Sequence, residues 1–131
     1  MARILLIDDD PLVRTALSLA LSHFGHVVTQ AGNGKEGLQL FQDAEFDLLI
    51  TDIVMPEMEG FEFLGELRKK HHRVKVIAIS GGGLQSGDDY LRVAKLLGAT
   101  KVLTKPFSAD TLMVTVNELL PDGKAPPSSA H

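Results

Sequence analysis

Short apolar runs rich in Ile, Leu and Val recur along the chain at Ile4 to Ile7, Val27-Val28, Leu48 to Ile50, Val74 to Ile79 and Val102-Leu103. Their length and composition predict strands. Because the apolar residues run on rather than alternate with polar ones, the strands are expected to be covered on both faces, as parallel sheets are. Between the runs the apolar spacing turns helical. A first helix is expected to start at Pro11 with Asp10 as its cap, to carry Leu12, Ala16, Leu17, Ala20 and Phe24 inward, and to end at Gly25. Asn33 followed by Glu36 has the form of a capping box and opens a second helix through Gly37, Leu38 and Phe41.

A third helix is predicted from Phe61 to about His72, after Gly60. A fourth is capped by Ser86 with Asp89, carries Tyr90, Val93, Ala94 and Leu97, and stops at Gly98. A fifth is capped by Ser108 and broken by Pro121. Five strands alternating with five helices predict a doubly wound α/β fold, since each parallel pair needs a crossover and crossovers are right-handed. The domain is drawn at residues 1–120. Residues 121–131, from Pro121 through Asp122-Gly123-Lys124 to Ser128-Ser129, have little to bury and read as a flexible tail or linker stub.

A chain of 131 residues fits one domain, and 44% hydrophobic with 23% charged residues suits a folded soluble protein. The formal charge of −4 without a Lys/Arg run argues against a built-in nucleic-acid or anionic-membrane surface and favours protein partners. With no cysteine, disulfides, thiol nucleophiles and cysteine zinc sites are excluded. The apolar run after Met1-Ala2-Arg3 is too short for a signal peptide or a membrane span, so a cytoplasmic location is expected.

Open α/β sheets bind ligands at the carboxyl ends of their strands. There the proposed strands carry Asp8-Asp9, Thr51-Asp52, Ser80 and Lys105-Pro106: carboxylates, a hydroxyl and an ammonium. Two carboxylates about 5 Å apart repel by roughly 3 kcal/mol at an effective dielectric near 20, so three of them call for a cation or a shared proton. Oxygen ligands around an open position suit a hard cation, Mg²⁺ in preference to Ca²⁺. With the ion bound, one aspartate could attack a phosphoryl donor while lysine and metal neutralise the transferred oxygens.

Four segments, Ile7-Asp8-Asp9-Asp10-Pro11, Thr51-Asp52-Ile53-Val54-Met55-Pro56-Glu57-Met58-Glu59-Gly60, Ile79-Ser80-Gly81 and Leu103-Thr104-Lys105-Pro106-Phe107, resemble in order and spacing the receiver domains of two-component response regulators. The resemblance covers about residues 2 to 120. It implies a flavodoxin-like sheet in the order 2-1-3-4-5, with Asp8, Asp9 and Asp52 facing one another at the switch point between strands 1 and 3. It further implies that Asp52 accepts a phosphoryl group from a histidine kinase or phosphotransfer protein. Mg²⁺ would bind Asp9, Asp52 and the Val54 carbonyl, with Asp8 acting mostly through water. Lys105 and Ser80 would hold the phosphoryl oxygens, and the Lys105-Pro106 bond would be cis.

The chain departs from the family pattern in three places. Val102 stands where an aromatic residue is common, which puts an aromatic rotamer switch coupled to Ser80 in doubt, and Tyr90 is no obvious substitute. The segment from Ser80 to Gly98 is about three residues longer than usual. Val54 and Gly82 replace side chains that often orient the attacking water, which predicts slow self-dephosphorylation. The charged and apolar residues Arg92, Lys95, Leu96 and Lys101 lie on or near the family's usual output surface, although each would serve equally as an ordinary solvated position.

Taken singly the motifs have plainer readings: Asp8 to Asp10 as a helix N-terminal cluster, Asp52 as a turn former, Ser80 as a cap, Lys105 before Pro as a loop. Their joint occurrence favours the site. Gly81-Gly82-Gly83 lacks the GxGxxG spacing and Gly32-Asn33-Gly34-Lys35 does not fit a P-loop. The five histidines show no ligand spacing and read as solvated. Competing readings are an Mg²⁺-dependent aspartyl-nucleophile phosphatase, disfavoured because Asp8-Asp9-Asp10-Pro11 breaks the DxDx(T/V) spacing, a flavin-binding module, and a receiver fold that binds partners without phosphorylation. A stand-alone regulator, monomeric or dimerising on phosphorylation, is expected if this is the whole gene product, since no output pattern follows; the Pro/Ser tail leaves open the N-terminal piece of a longer one.

Overall fold

Branched aliphatic runs too short for helices pair side by side in the computed structural model, which describes residues 2–43, 45–52, 65–66, 74–80, 98–105 and 107–120. The described elements are β1 (Arg3–Ile7), α1 (Pro11–His23), β2 (Val27–Ala31), α2 (Gly34–Asp43), β3 (Leu48–Asp52), β4 (Lys75–Ser80), β5 (Lys101–Thr104) and α3 (Ala109–Leu119). All strand pairs are parallel, in the order β2-β1-β3-β4-β5. All five sequence-predicted strands and the 2-1-3-4-5 order are therefore present. The predicted third and fourth helices lie outside the described residues, except that residues 65 and 66 are helical. So do Val54, Gly82, Tyr90, Pro106 and residues 121–131.

Successive residues of a strand point to opposite faces, and both faces are covered. Ile4 and Leu6 of β1, Leu48 and Ile50 of β3 and Ile77 and Ile79 of β4 meet Leu21 of α1 and Leu112, Met113 and Val116 of α3. Leu5 and Ile7, Leu49, and Val76 and Ala78 meet Phe41, Leu38 and Leu40 of α2 on the other face. Every residue of β3 is buried, which explains its unbroken apolar run. Each fully buried Leu or Ile contributes roughly 1.5–3 kcal/mol relative to exposure. The two layers together hold the strand ends in fixed register.

The helix ends follow their local chemistry. Asp10 caps α1 by accepting from the Leu12 and Val13 N–H groups, with Pro11 at the first helical position. Ser108 caps α3 by accepting from the Thr111 N–H at 3.1 Å. At α2 the Glu36 N–H donates to Asn33 Oδ1 at 2.8 Å, but the Glu36 carboxylate returns to the Gly32 N–H at 2.7 Å, one residue earlier than a capping box requires. Gly25 and Gly98 take positive φ values of 92° and 83°, a region that other L-residues enter only at a cost.

Two expectations are corrected. Of the expected inward face of α1, Leu17 packs against the core and Ala20 is half-buried, but Leu12 is 81% and Phe24 55% exposed and Ala16 is exposed, while Ser18 and Leu21 are buried. The true face, Arg14, Leu17, Ser18 and Leu21, is rotated by about one residue, ~100°. Small alanines and a serine made the helix's two sides similar in hydrophobicity. His26 is not solvated. It is buried, and its Nδ1 accepts from the Ala2 N–H at 3.2 Å, because the turn at Gly25 folds it beneath the start of β1. Burial lowers its pKa from the ordinary 6.5, keeping the acceptor nitrogen unprotonated.

Candidate functional site: an acidic pocket at the switch point

Sheet register builds the site. Ile4 to Ile7 of β1 align with Leu48 to Thr51 of β3, so the next residue of each strand brings Asp8 beside Asp52. Both continue the parity of the face that carries α1 and α3. Asp52 aligns with Ile79 and Ser80 with Thr104, which places Lys105 one residue beyond the end of β5, two strands across from Asp52.

The side chains close the gap that the backbone leaves. Lys105 Nζ lies 3.1 Å from Asp52 Oδ2 and 3.4 Å from Asp8 Oδ2 and donates to both. Asp8 is fully buried and Asp52 nearly so, whereas Asp9 is exposed. Oxygens of Asp8, Asp9 and Asp52 lie within 4.8 Å of one another. Of the six sequence-predicted site residues, the structure thus brings together Asp8, Asp9, Asp52 and Lys105. Ser80 ends the neighbouring strand, and Val54 lies outside the described residues.

Burial pushes the Asp8 carboxyl above its ordinary 3.8, and the charge of Asp52 adds to this, while the Asp10 N–H and Lys105 work against it. Burial alone would lower the Lys105 pKa, but its hydrogen bond to Asp52 and the charges of Asp52 and Asp8 outweigh this and raise it above 10.5. Lys105 therefore keeps its charge at any physiological pH. One ammonium against three carboxylates leaves the pocket short of positive charge. A spacing of 4.8 Å or less is comparable to the about 4.2 Å between opposite ligands of one Mg²⁺, and an all-carboxylate donor set suits a hard cation.

The β1–α1 turn that carries Asp9 is held on three sides. The Asp8 N–H donates to the Ala31 carbonyl at 3.2 Å, the Asp10 N–H donates to Asp8 Oδ1 at 2.9 Å, and Arg14 Nη1 donates to the Asp8 carbonyl at 2.6 Å. Arg14 is absent from the sequence-based site. Its signal was a charged residue on the inward face of an amphipathic helix, hidden because that face was assigned one residue out of phase.

Fold and pocket together define a flavodoxin-like module with an acidic ligand site at its switch point. A family model for the response regulator receiver domain matches residues 4–117, and the chain belongs to that family. Protein PilH of Pseudomonas aeruginosa is 34% identical over 122 residues, covering 92% of this chain and 98% of PilH. Sensor kinase CckA of Brucella abortus is 37% identical over 121 residues, covering 91% of this chain but 12% of CckA. Among solved structures, chemotaxis protein CheY4 of Vibrio cholerae superposes with a TM-score of 0.84 at 33% identity, covering 92% of this chain and 99% of that one. The chain thus spans nearly all of some relatives and a small part of others.

The protein is a receiver domain of two-component signalling. Receiver domains are signalling modules that bind Mg²⁺ in an acidic pocket and interact with histidine kinases or phosphotransfer proteins and with downstream targets. Among the described residues no helix is long and apolar enough to cross a membrane.

Proposed function

We propose that Asp52 accepts a phosphoryl group from a phosphohistidine of a sensor kinase or phosphotransfer protein. Supporting this is the Lys105 ammonium shared between the buried carboxylates of Asp52 and Asp8, at the end of the central strand. An Asp52 oxygen attacks phosphorus, the P–N bond breaks, and the imidazole leaves as neutral histidine after taking up a proton. The product is a mixed anhydride on Asp52. Lys105, 3.1 Å from the carboxylate, would pair with a transferred oxygen, and Ser80 would donate to another. Mg²⁺ would be held by Asp9, Asp52 and the Val54 carbonyl, with Asp8 acting through water, and would offset the negative charge of the incoming phosphoryl group.

In this reading residues 1–120 form the receiver unit, 121–131 a tail or linker, and the exchange takes place in the cytoplasm. Phosphorylation then alters contacts with protein partners. The experiment is labelling with acetyl phosphate and Mg²⁺, followed by mass spectrometry. One phosphoryl adduct on Asp52, labile to hydroxylamine and missing in Asp52→Asn, is expected. An adduct that survives the substitution would refute the assignment.

A further inference from the structure

We propose that Arg14 is a positioning residue of the acidic pocket, fixing through the Asp8 carbonyl where the Asp9 carboxylate stands. The proposal rests on the reading of Asp8, Asp9 and Asp52 as a cation site. Arg14 is half-buried on the inward face of α1, where a charged side chain is costly unless its donors are used. They are used: Nη1 donates to the Asp8 carbonyl at 2.6 Å and Nε to Gln30 Oε1 at 3.3 Å on the edge strand β2.

The carbonyl of Asp8 and the N–H of Asp9 belong to one planar peptide unit. Gripping that oxygen sets the tilt of the plane and hence the direction in which the Asp9 side chain leaves the backbone. The other two contacts of the turn hold Asp8 itself, through its N–H and its carboxylate. The second of these, from the Asp10 N–H to the Asp8 carboxylate, closes an Asx-turn around the plane that leads into Asp9, and Arg14 adds a grip on the carbonyl oxygen of that plane. Asp9 is the exposed member of the trio, with little packing of its own to orient it. Space is reserved for the guanidinium as well: a Cβ on Gly32 would stand 3.3 Å from Nη1. Gly32, Gln30 and the Asp8 carbonyl thus form a seat for one planar fork, which a lysine could fill only in part.

Charge and position predict opposite signs for cation binding. Removing a nearby positive charge should tighten binding of Mg²⁺ to three carboxylates, whereas releasing the peptide plane should weaken it. The test measures Mg²⁺ affinity by amide NMR titration, and amide hydrogen exchange at Asp9 and Asp10 without metal, in wild type, Arg14→Ala, Arg14→Lys and Gln30→Ala. We expect Mg²⁺ affinity to fall roughly 10-fold in Arg14→Ala, the low end of the loss for outer groups that orient metal ligands, because removing the positive charge works in the other direction. Arg14→Lys should recover only part of it despite keeping the charge. Gln30→Ala, which leaves both pocket and charge in place, should produce a smaller loss in the same direction, and Asp9 and Asp10 should exchange faster in all three variants.

Unchanged exchange at Asp9 and Asp10 in a folded Arg14→Ala protein overturns the proposal, and so does tighter Mg²⁺ binding. A wild-type protein that binds no Mg²⁺ refutes the cation-site reading, while the metal-free exchange comparison still decides whether Arg14 holds the turn.

Discussion

The Asp8 carboxyl stands fully buried within reach of a second carboxylate, and a single ammonium serves both. Its raised pKa has a definite consequence for stability. A carboxyl whose folded pKa lies above its unfolded one contributes stability below the unfolded value of 3.8, and loses it as pH rises through the folded value. At neutral pH burying this carboxyl therefore costs the metal-free protein stability. Asp8→Asn should stabilise it there by on the order of 1 kcal/mol, a Tm rise of roughly 3–6 °C for a domain this size. The gain should shrink as the pH falls toward about 4, as thermal melts in chelator at two pH values would show; a lower Tm for the variant at neutral pH would contradict the account.

Lys105 separates charge balance from chemistry. Lys105→Met should leave Mg²⁺ binding intact or tighter, since a competing cation is gone, yet slow labelling by acetyl phosphate roughly 10²- to 10³-fold, the usual cost of losing one donor to a developing anion. Equal labelling rates would remove Lys105 from the mechanism. Val54 and Gly82 lack polar side chains to orient water, so the phosphorylated protein should lose its label slowly. Decay as fast as that of the fast chemotaxis regulators, followed by release of inorganic phosphate, would contradict this.

Among the elements, the strands were legible because each is a short apolar run that does one thing, fill a layer between helices. Helix starts were legible where a side chain caps them, as at Asp10 and Ser108. The rotation of α1 was not, because Ala16, Ala20 and Ser18 offer little contrast and Leu12 and Leu19 point outward. The burial of His26 was hidden for a different reason, since its partner, the Ala2 N–H, is 24 residues away in sequence. Glycine punctuation carries energy as well as legibility. A Cβ on Gly25 would meet nothing within 4 Å, so Gly25→Ala carries the backbone cost alone. About 1–2 kcal/mol of lost stability is expected from forcing an L-residue to φ near 92°; chemical denaturation showing no loss would mean that the turn relaxes.

At the scale of the whole molecule, the pocket joins three strand ends that are far apart in sequence, with Lys105 lying 97 residues from Asp8 and 53 from Asp52. Spacing within any one motif could not reveal that convergence; the resemblance of four motifs in order did, and the strand register then supplied the physical reason. The output face is less sharply drawn. Val102 is half-buried against the α2-side layer, in the position where an aromatic residue is common. Lys101 pairs with Glu118 at 3.6 Å on the surface, a contact worth about 0–1 kcal/mol.

The central claim is that the pocket around Asp52 senses a phosphoryl group and passes the change to the surface. Amide NMR of the protein with Mg²⁺ and beryllofluoride, an acyl-phosphate mimic, tests it most directly beside an Asp52→Asn control. The account predicts Mg²⁺-dependent shifts at Asp9, Asp52, Ser80 and Lys105 that extend to Val102 and Lys101 and vanish in the control. Spectra that stay unchanged in the wild-type protein would contradict it, and would leave a receiver fold that binds its partners without a phosphorylation switch.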